Sequence, residues 1–455
     1  MLNRMFSKFQ TCRNRIWRRC RCCWRNTGQS GIKRGLWDGK KVSGIYVTYR
    51  SEVGKAISWL FIKFCATFDT ICAVDEIIFK RLHGRWSKTI TAVRKDEKKM
   101  RKLKVGVIGC GQVAQIVWLP YIHELDEYDI VAISDISLKL LDYYGNLYGV
   151  KKCYRDWHEL INDKEVEAVI VLNSNHTEVC IEAAKAGKHI LVEKPLCENI
   201  RQAEEIEKAV TENNVLLMVG EMKRYDSGYK YARNLIQNMK GLRMIRSRDV
   251  CDGLAASQPE IYESRRRTDV EQSVKEKINQ NFNQGLKEVT GELSENLYFR
   301  LLLAGVHDID ILRAAFGEPE KVSYSDIWDD GNMLMAELDY GNHVKAIFEV
   351  GYTNQKWFDE ELTAYGLDQT ITVKFPHPYI RNCPTIIKII ENKDGRIEER
   401  EVSVAFDEAF RNELLHFYQC VIENKQPETN IEEGKKDIRL LNDIFQCYAR
   451  RINKC

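Results

Sequence analysis

The sequence predicts an α/β chain: a doubly wound parallel sheet, followed by an α+β domain on an open, mostly antiparallel sheet. Three observations predict it. Short, wholly apolar runs recur between Lys104 and Val219 at spacings too wide for hairpins, and helix-like stretches fill the gaps. From Lys321 to Arg400 the pattern turns to strand-like alternation with turn signals.

The apolar runs are "KVGVIG" (104–109), "IVAIS" (130–134), "VEAVIVL" (166–172), "HILVE" (189–193) and "VLLMV" (215–219). Runs apolar throughout imply strands covered on both faces, hence a parallel sheet between helix layers. The stretches 177–188 and 199–214 read as two of those helices, with Gly187 as a stop signal. The first turn, "GCGQVA", is a G-x-G-x-x-A arrangement of Gly109, Gly111 and Ala114, with Gln112 and Val113 between. Gly109 permits a tight strand-to-helix turn, Gly111 admits a pyrophosphate against the backbone, and Ala114 lets the helix lie close on the strand. Free N–H groups at the helix start then face the phosphates. Such a turn after a strand and before a helix predicts a Rossmann dinucleotide site.

The second strand ends at Asp135, 24 residues beyond Gly111. A carboxylate there can accept both hydroxyls of an adenosine ribose and repels a 2′-phosphate, which argues for NAD over NADP. Asp135 also fits a cap for the helix that follows, and the two roles are compatible. The fourth run ends in Glu193-Lys194-Pro195, charge at the carboxyl edge of a buried strand. Pro195 fixes the chain direction there and makes a cis bond accessible.

Together "GVIGCGQVA", "SD" at 134–135, "NSNHTEVCIEAAKAGKHILVEKPL", "MKRYD" at 222–226 and "AGVHDIDILRAAFGEP" at 304–319 resemble the Gfo/Idh/MocA family of NAD(P)-dependent oxidoreductases. The resemblance runs from Lys102 to the C-terminus. It implies that Lys194 reaches the nicotinamide ribose and the substrate hydroxyl, with Glu193 orienting or neutralising it. It implies that His307 faces the substrate for acid/base work, a task histidine suits near neutral pH. Asn173 and His176 line the cofactor by the same comparison; Arg224, Tyr225 and Asp310 are substrate-side candidates. One departure stands out. Many family members have an aspartate four residues before this histidine, where this chain has Leu303. Glu292 and Glu295 are candidates to replace it.

Beyond "GEMKRYD" the chain predicts a helix over 227–239, a strand near 244–250 and a polar stretch, 251–290, read as a lid or a solvated helical excursion. "MLMAELDYGNHVKAIFEV" (333–350) reads as a hairpin, and helices near 407–424 and 434–450 close the chain. The resemblance implies that these helices return to the nucleotide domain and that the sheet backs the substrate pocket and a dimer interface. The aromatics Tyr225, Trp328, Trp357 and Tyr379 carry no stacking assignment.

The 455 residues carry a net charge of +3, unevenly spread. Residues 1–99 hold 23 Lys/Arg against 7 Asp/Glu, leaving 46 against 59 in the rest. The acidic remainder gives no nucleic-acid signature. The basic start, with "WRRCRCCWRN" at 17–26, lacks paired zinc-finger spacing, so no metal is expected. It reads as a transit peptide or a basic arm. The apolar run 59–79 is broken by Lys63, Asp69, Asp75 and Glu76, which disfavours a membrane span. Met100 precedes the first good strand. The expectation is that residues 1–99 are a poorly ordered or non-native extension, with a nucleotide domain over 100–222 and a substrate and dimerisation domain over 223–455. Scattered single cysteines fit reduced thiols and a cytoplasmic chain.

The function expected is hydride transfer from a hydroxyl-bearing carbon of a sugar, cyclitol or glycoside to NAD, in a homodimer or homotetramer. Two alternatives are kept: glycoside cleavage through transient oxidation and elimination, and a non-catalytic NAD-binding regulator.

Overall fold

A computed structural model describes residues 32–37, 40–45, 101–251, 265–354 and 357–453. The chain divides into two units, Met1–Lys98 and Lys99–Cys455. In the first, β1 (Ile32–Trp37) and β2 (Lys40–Ile45) form an antiparallel hairpin with Ile32 opposite Ile45. The cysteine-rich stretch 17–26, the apolar run 59–79 and part of the polar stretch, 252–264, lie outside the described residues. Among the described residues no helix is long and apolar enough to cross a membrane, and the described cysteines are free thiols.

The second unit opens with a parallel sheet. Its strands are β3 (Leu103–Ile108), β4 (Tyr128–Ser134), β5 (Lys152–Tyr154), β6 (Ala168–Val171), β7 (His189–Glu193) and β8 (Leu217–Gly220), ordered β5-β4-β3-β6-β7-β8. Strand order reverses at β3, between β4 and β6. The crevice beyond the carboxyl ends at that reversal is where such sheets take ligands. The apolar runs became strands because both faces are covered: all of β6 is buried, and Ile190, Leu191 and Val192 of β7 are fully buried. β5 was not foreseen, since "KCY" is short and carries no apolar run. The helices His176–Lys185 and Ile200–Glu212 match the two foreseen, each started by an asparagine side chain, Asn175 and Asn199.

The other sheet has eight strands, β9 (Met244–Cys251), β10 (Lys321–Trp328), β11 (Met333–Asp339), β12 (Lys345–Tyr352), β13 (Asp359–Tyr365), β14 (Gln369–Phe375), β15 (Ile386–Lys393) and β16 (Arg396–Ser403). Their order is β10-β11-β12-β9-β13-β14-β15-β16. All pairs are antiparallel except β12 with β9, because β9, which precedes the other seven strands in the chain, enters the middle of the sheet. Alternation along β9 puts Ile245, Ser247, Asp249 and Cys251 on the covered face. Two of those four are polar.

The helix Val306–Phe316 packs against β9, and the chain returns through Ala409–Glu423 and Ile431–Ile452. Val219 N–H donates to the Thr429 carbonyl at 2.7 Å, so the return is stitched onto the edge of β8. Phe410, Leu414 and Phe417 share one apolar core with Leu103, Val105 and Val107 of β3. Buried ion pairs lock this assembly. Arg224 donates to Asp310 at 2.7 Å and to Glu433 at 3.1 Å, and Arg313 pairs with Glu433 and Asp437.

Asp310 is 1% exposed and depends on Arg224 for its charge. Arg224→Met should therefore lower the unfolding free energy by about 3–5 kcal/mol, the cost of orphaning one member of a buried pair. Urea denaturation followed by circular dichroism checks this; a loss below about 1 kcal/mol would show the network is not what holds the helix.

Candidate active site

Gly109, at the end of β3, has φ +100°, and a Cβ there would stand 2.9 Å from the Asn173 backbone nitrogen. Only glycine allows that approach. Its neighbour Cys110 donates its N–H to Asp135 at 2.8 Å, tying the glycine turn to the end of β4. Ala114 is buried at the start of a π-helical turn, Ala114–Trp118, that opens the helix; Val113 faces a cavity, and Gln112 is partly exposed. The helix after Asp135 is capped by Ser137, which accepts from Leu140 N–H, so Asp135 is not that cap.

The cavity occupies about 510 Å³ between the two sheets. Asn173, His176, Lys194, Lys223, Asp249 and His307 line it. Lys194–Pro195 is a cis peptide bond. The Lys194 ammonium donates to the Leu303 carbonyl at 2.8 Å. That carbonyl lies in a π-helical turn, Leu301–Gly305, a geometry that recurs at functional sites. Where the related pattern has a carboxylate, a backbone oxygen meets the lysine. Glu193 does not touch the ammonium. It accepts from Trp118 Nε1 at 2.9 Å and from the Lys194 backbone N–H at 2.8 Å, and burial pushes its carboxyl up.

His307 Nδ1 is 2.8 Å from Glu221 Oε2. Burial, then Lys194 and Lys223, pull the imidazole well below its ordinary value. Burial, then Asp310 and Asp437, push Glu221 well above its own. Neither Glu292, which is exposed, nor Glu295 lines the cavity; the carboxylate beside His307 is Glu221. Nothing in the local sequence links Glu221 to a histidine 86 positions away.

Asp249 is the other residue the sequence did not single out, although the "RSRDV" alternation on β9 could have found it. Burial, then Asp308, push its carboxyl up to about 7, while Lys223 and Lys194 pull it down. Oxygens of Asp249, Asp308 and Glu360 lie within 4.8 Å of one another. Lys223 pairs with Glu360, so an ammonium stands where such a trio would otherwise call for a metal ion.

The structure does not bring Arg224, Tyr225 or Asp310 to the cavity. In the short helix Met222–Tyr225 the first two residues face it. Arg224 turns to Asp310 and Glu433, and the Tyr225 hydroxyl sits 2.8 Å from Thr429 Oγ1. These three hold the return of the chain. Of the unassigned aromatics, Tyr379 lines the cavity and Trp357 is exposed. The polar stretch supplies Asn279 and Phe282 of the helix Gln272–Thr290 to the wall, as a lid would.

A dinucleotide fits these residues. Asn173 Oδ1 is buried without a hydrogen-bond partner, a cost a ligand donor would remove. The neighbouring His176 is held by the Pro195 carbonyl at 2.7 Å, and burial lowers it to about 4, so it is a neutral wall group.

Residues 103–221 match a family model described as an oxidoreductase family with an NAD-binding Rossmann fold. Myo-inositol 2-dehydrogenase of Thermotoga maritima is 34% identical over 138 residues, 30% of this chain and 41% of that protein. The match thus spans about two fifths of that relative's length. The scyllo-inositol 2-dehydrogenase (NAD(+)) of Bacillus subtilis is 21% identical over 342 residues, 72% of this chain and 88% of that one. Among solved structures, the 3-ketoreductase of Actinomadura kijaniata with NADP and TDP-benzene shares the fold at a TM-score of 0.60 and 18% identity, covering 76% of this chain and 98% of its own.

Gly109→Ala should cost about 1–3 kcal/mol of stability through backbone strain and remove measurable ADP binding. Thermal unfolding and calorimetric titration read both; retained ADP affinity would mean the turn is not the phosphate seat.

Proposed function

Residues 103–221 belong to the Gfo/Idh/MocA oxidoreductases, and from that premise we propose that this chain oxidises a secondary hydroxyl of a cyclitol or sugar with NAD. The observation that carries the reading is the convergence of Lys194, His307 and Val113 of the glycine turn on one cavity. Bound there, nicotinamide supplies the hydride acceptor. Gly109, Gly111 and Asp135 hold the adenosine end, and Asn173, His176 and Lys194 wall the other.

The chain's part is to position the alcohol and take its proton. Lys194 keeps hydrogens to donate to the reacting oxygen beyond the one given to Leu303. His307 has Nδ1 engaged by Glu221, which leaves Nε2 for the hydroxyl proton. A buried imidazolium is disfavoured and a buried neutral carboxyl favoured, as the two opposite shifts record. From the form in which Glu221 is ionised and Nδ1 carries the proton, Nε2 takes the hydroxyl proton as the Nδ1 proton passes to Glu221, and the pair gains one proton without creating a cation. The two titrate as a unit. Asp249 accepts a second substrate hydroxyl and offsets the two ammoniums once ionised.

Residues 100–222 serve here as the nucleotide domain and 223–455 as the substrate and assembly domain. The outer face of the eight-stranded sheet exposes Tyr324, Trp328 and Met335, which supports self-association through it. Inositol dehydrogenases among the relatives support a cyclitol substrate. A screen of cyclitols, sugars and glycosides for NADH formation, with product mass, tests the reading. A ketone two mass units below its substrate supports oxidation; release of an aglycone with no net NADH supports elimination instead.

Lys194→Ala, His307→Ala and Glu221→Gln should each lower turnover by about 100-fold or more, with NAD affinity changed far less. The His307→Ala, Glu221→Gln double variant should be little worse than either single one, because both act on one proton. Fully additive losses would assign them to separate steps.

Asp249, with its folded value near 7, is neutral below that pH and ionised above it. The rate of oxidation should rise with pH through about 7, and Asp249→Asn should remove that inflection from the kcat/KM profile. A variant that keeps it shows another group titrates.

A further inference from the structure

Ahead of the helix Gln272–Thr290, residues 265–269 lie across the nucleotide crevice as a strap. Gln115, buried in the helix after the glycine turn, grips it on both sides: Arg265 N–H donates to Gln115 Oε1 at 2.8 Å, and Gln115 Nε2 donates to the Arg265 carbonyl at 3.0 Å. The Arg265 guanidinium stacks 3.6 Å over the Tyr143 ring. Asp269 accepts from Ser137 Oγ at 2.5 Å and from Lys139 N–H at 3.1 Å. None of these anchors uses Arg267.

Arg267 reaches inward. Its Nη2 donates to Asp135 Oδ2 at 2.8 Å, and its Nε stands 3.1 and 3.2 Å from the two carboxylate oxygens. Cys110 N–H and Ser137 N–H take the remaining acceptor directions of Asp135, each at 2.8 Å. A carboxylate so engaged has no room for ribose hydroxyls. If Asp135 holds the adenosine ribose, as the proposed function has it, Arg267 must let go first. Because the strap is fastened elsewhere, its backbone stays docked while the side chain swings.

The released guanidinium then needs an anion. Its Nη2 already lies 3.4 Å from where a Cβ on Gly111 would be, directly over the turn that seats a diphosphate. We propose that Arg267 is a cofactor-binding residue contributed by the polar stretch 251–290: on binding, it exchanges Asp135 for the diphosphate of the dinucleotide. Arginine suits the exchange, since its fork pairs equally with carboxylate and phosphate. The carboxylate left behind favours the diphosphate over a 2′-phosphate, which would sit against it. This inference rests on the nucleotide reading and adds to it a clamp from outside the parallel sheet.

The experiment titrates NAD, NADP, ADP and adenosine into the full chain and into Arg267→Gln and Arg267→Lys, by calorimetry, with thermal unfolding as the folding control. Loss of one charge-assisted pair should weaken NAD and ADP by about 10-fold or more in Arg267→Gln, with partial recovery in Arg267→Lys. Adenosine, which gains a free Asp135 and has no phosphate, should bind as well or more tightly. Unchanged or tighter NAD and ADP would overturn the clamp and leave a residue that merely blocks the site. A loss confined to NADP would overturn it in favour of the 2′-phosphate, and equal weakening of adenosine would reduce Arg267 to a structural role. A full chain that binds neither NAD nor ADP sinks the nucleotide reading and this inference with it.

Discussion

Charge buried between two sheets is the constraint on which the rest depends. Lys194 and Lys223 line the cavity with Glu193 and Asp249, and Glu221, Asp308 and Glu360 are buried beside them. Burying a lone charge costs far more than any single contact returns, so each group must be paired or neutral. The pairing explains the details. Lys223 goes to Glu360, Asp308 takes the Ser247 hydroxyl at 2.8 Å, and Glu193 is held by an indole and a peptide N–H. What is left over, His307 with Glu221, is a pair whose burial favours one mobile proton over two charges.

The same constraint makes Leu303 intelligible. With a carboxylate already supplied from Glu221, at the end of β8, a second one at 303 would add negative charge to a wall that has enough. A backbone carbonyl turned out by the π-helical turn fixes the lysine at lower cost. The departure from the related pattern thus moves the acid from one helix turn before the histidine to the opposite sheet.

Much of this was legible in the sequence, for local reasons. The period of apolar runs gave the parallel sheet, and the glycine spacing gave the turn whose φ at Gly109 no other residue tolerates. The Glu-Lys-Pro edge gave the lysine. What escaped was set by distant partners. Glu221 and His307 meet only because β8 and the helix Val306–Phe316 end at one cavity. Arg224, Tyr225 and Asp310 looked like substrate groups because they flank motif residues; instead Arg224 pairs with Asp310 and Glu433, and Tyr225 meets Thr429 of the returning chain. β5 had no apolar run to betray it. The strap escaped for the same reason as Glu221, since Arg267 lies 132 positions from Asp135.

The central claim is that a carbinol hydrogen leaves the substrate for nicotinamide in this cavity. The most direct measurement incubates the full chain with NAD and a cyclitol deuterated at its ring carbons, then weighs the reduced cofactor. Reduced nicotinamide one mass unit heavier, carrying the substrate's deuterium, is the predicted result. Reduced nicotinamide of natural mass, or none while a product still forms, would contradict the account.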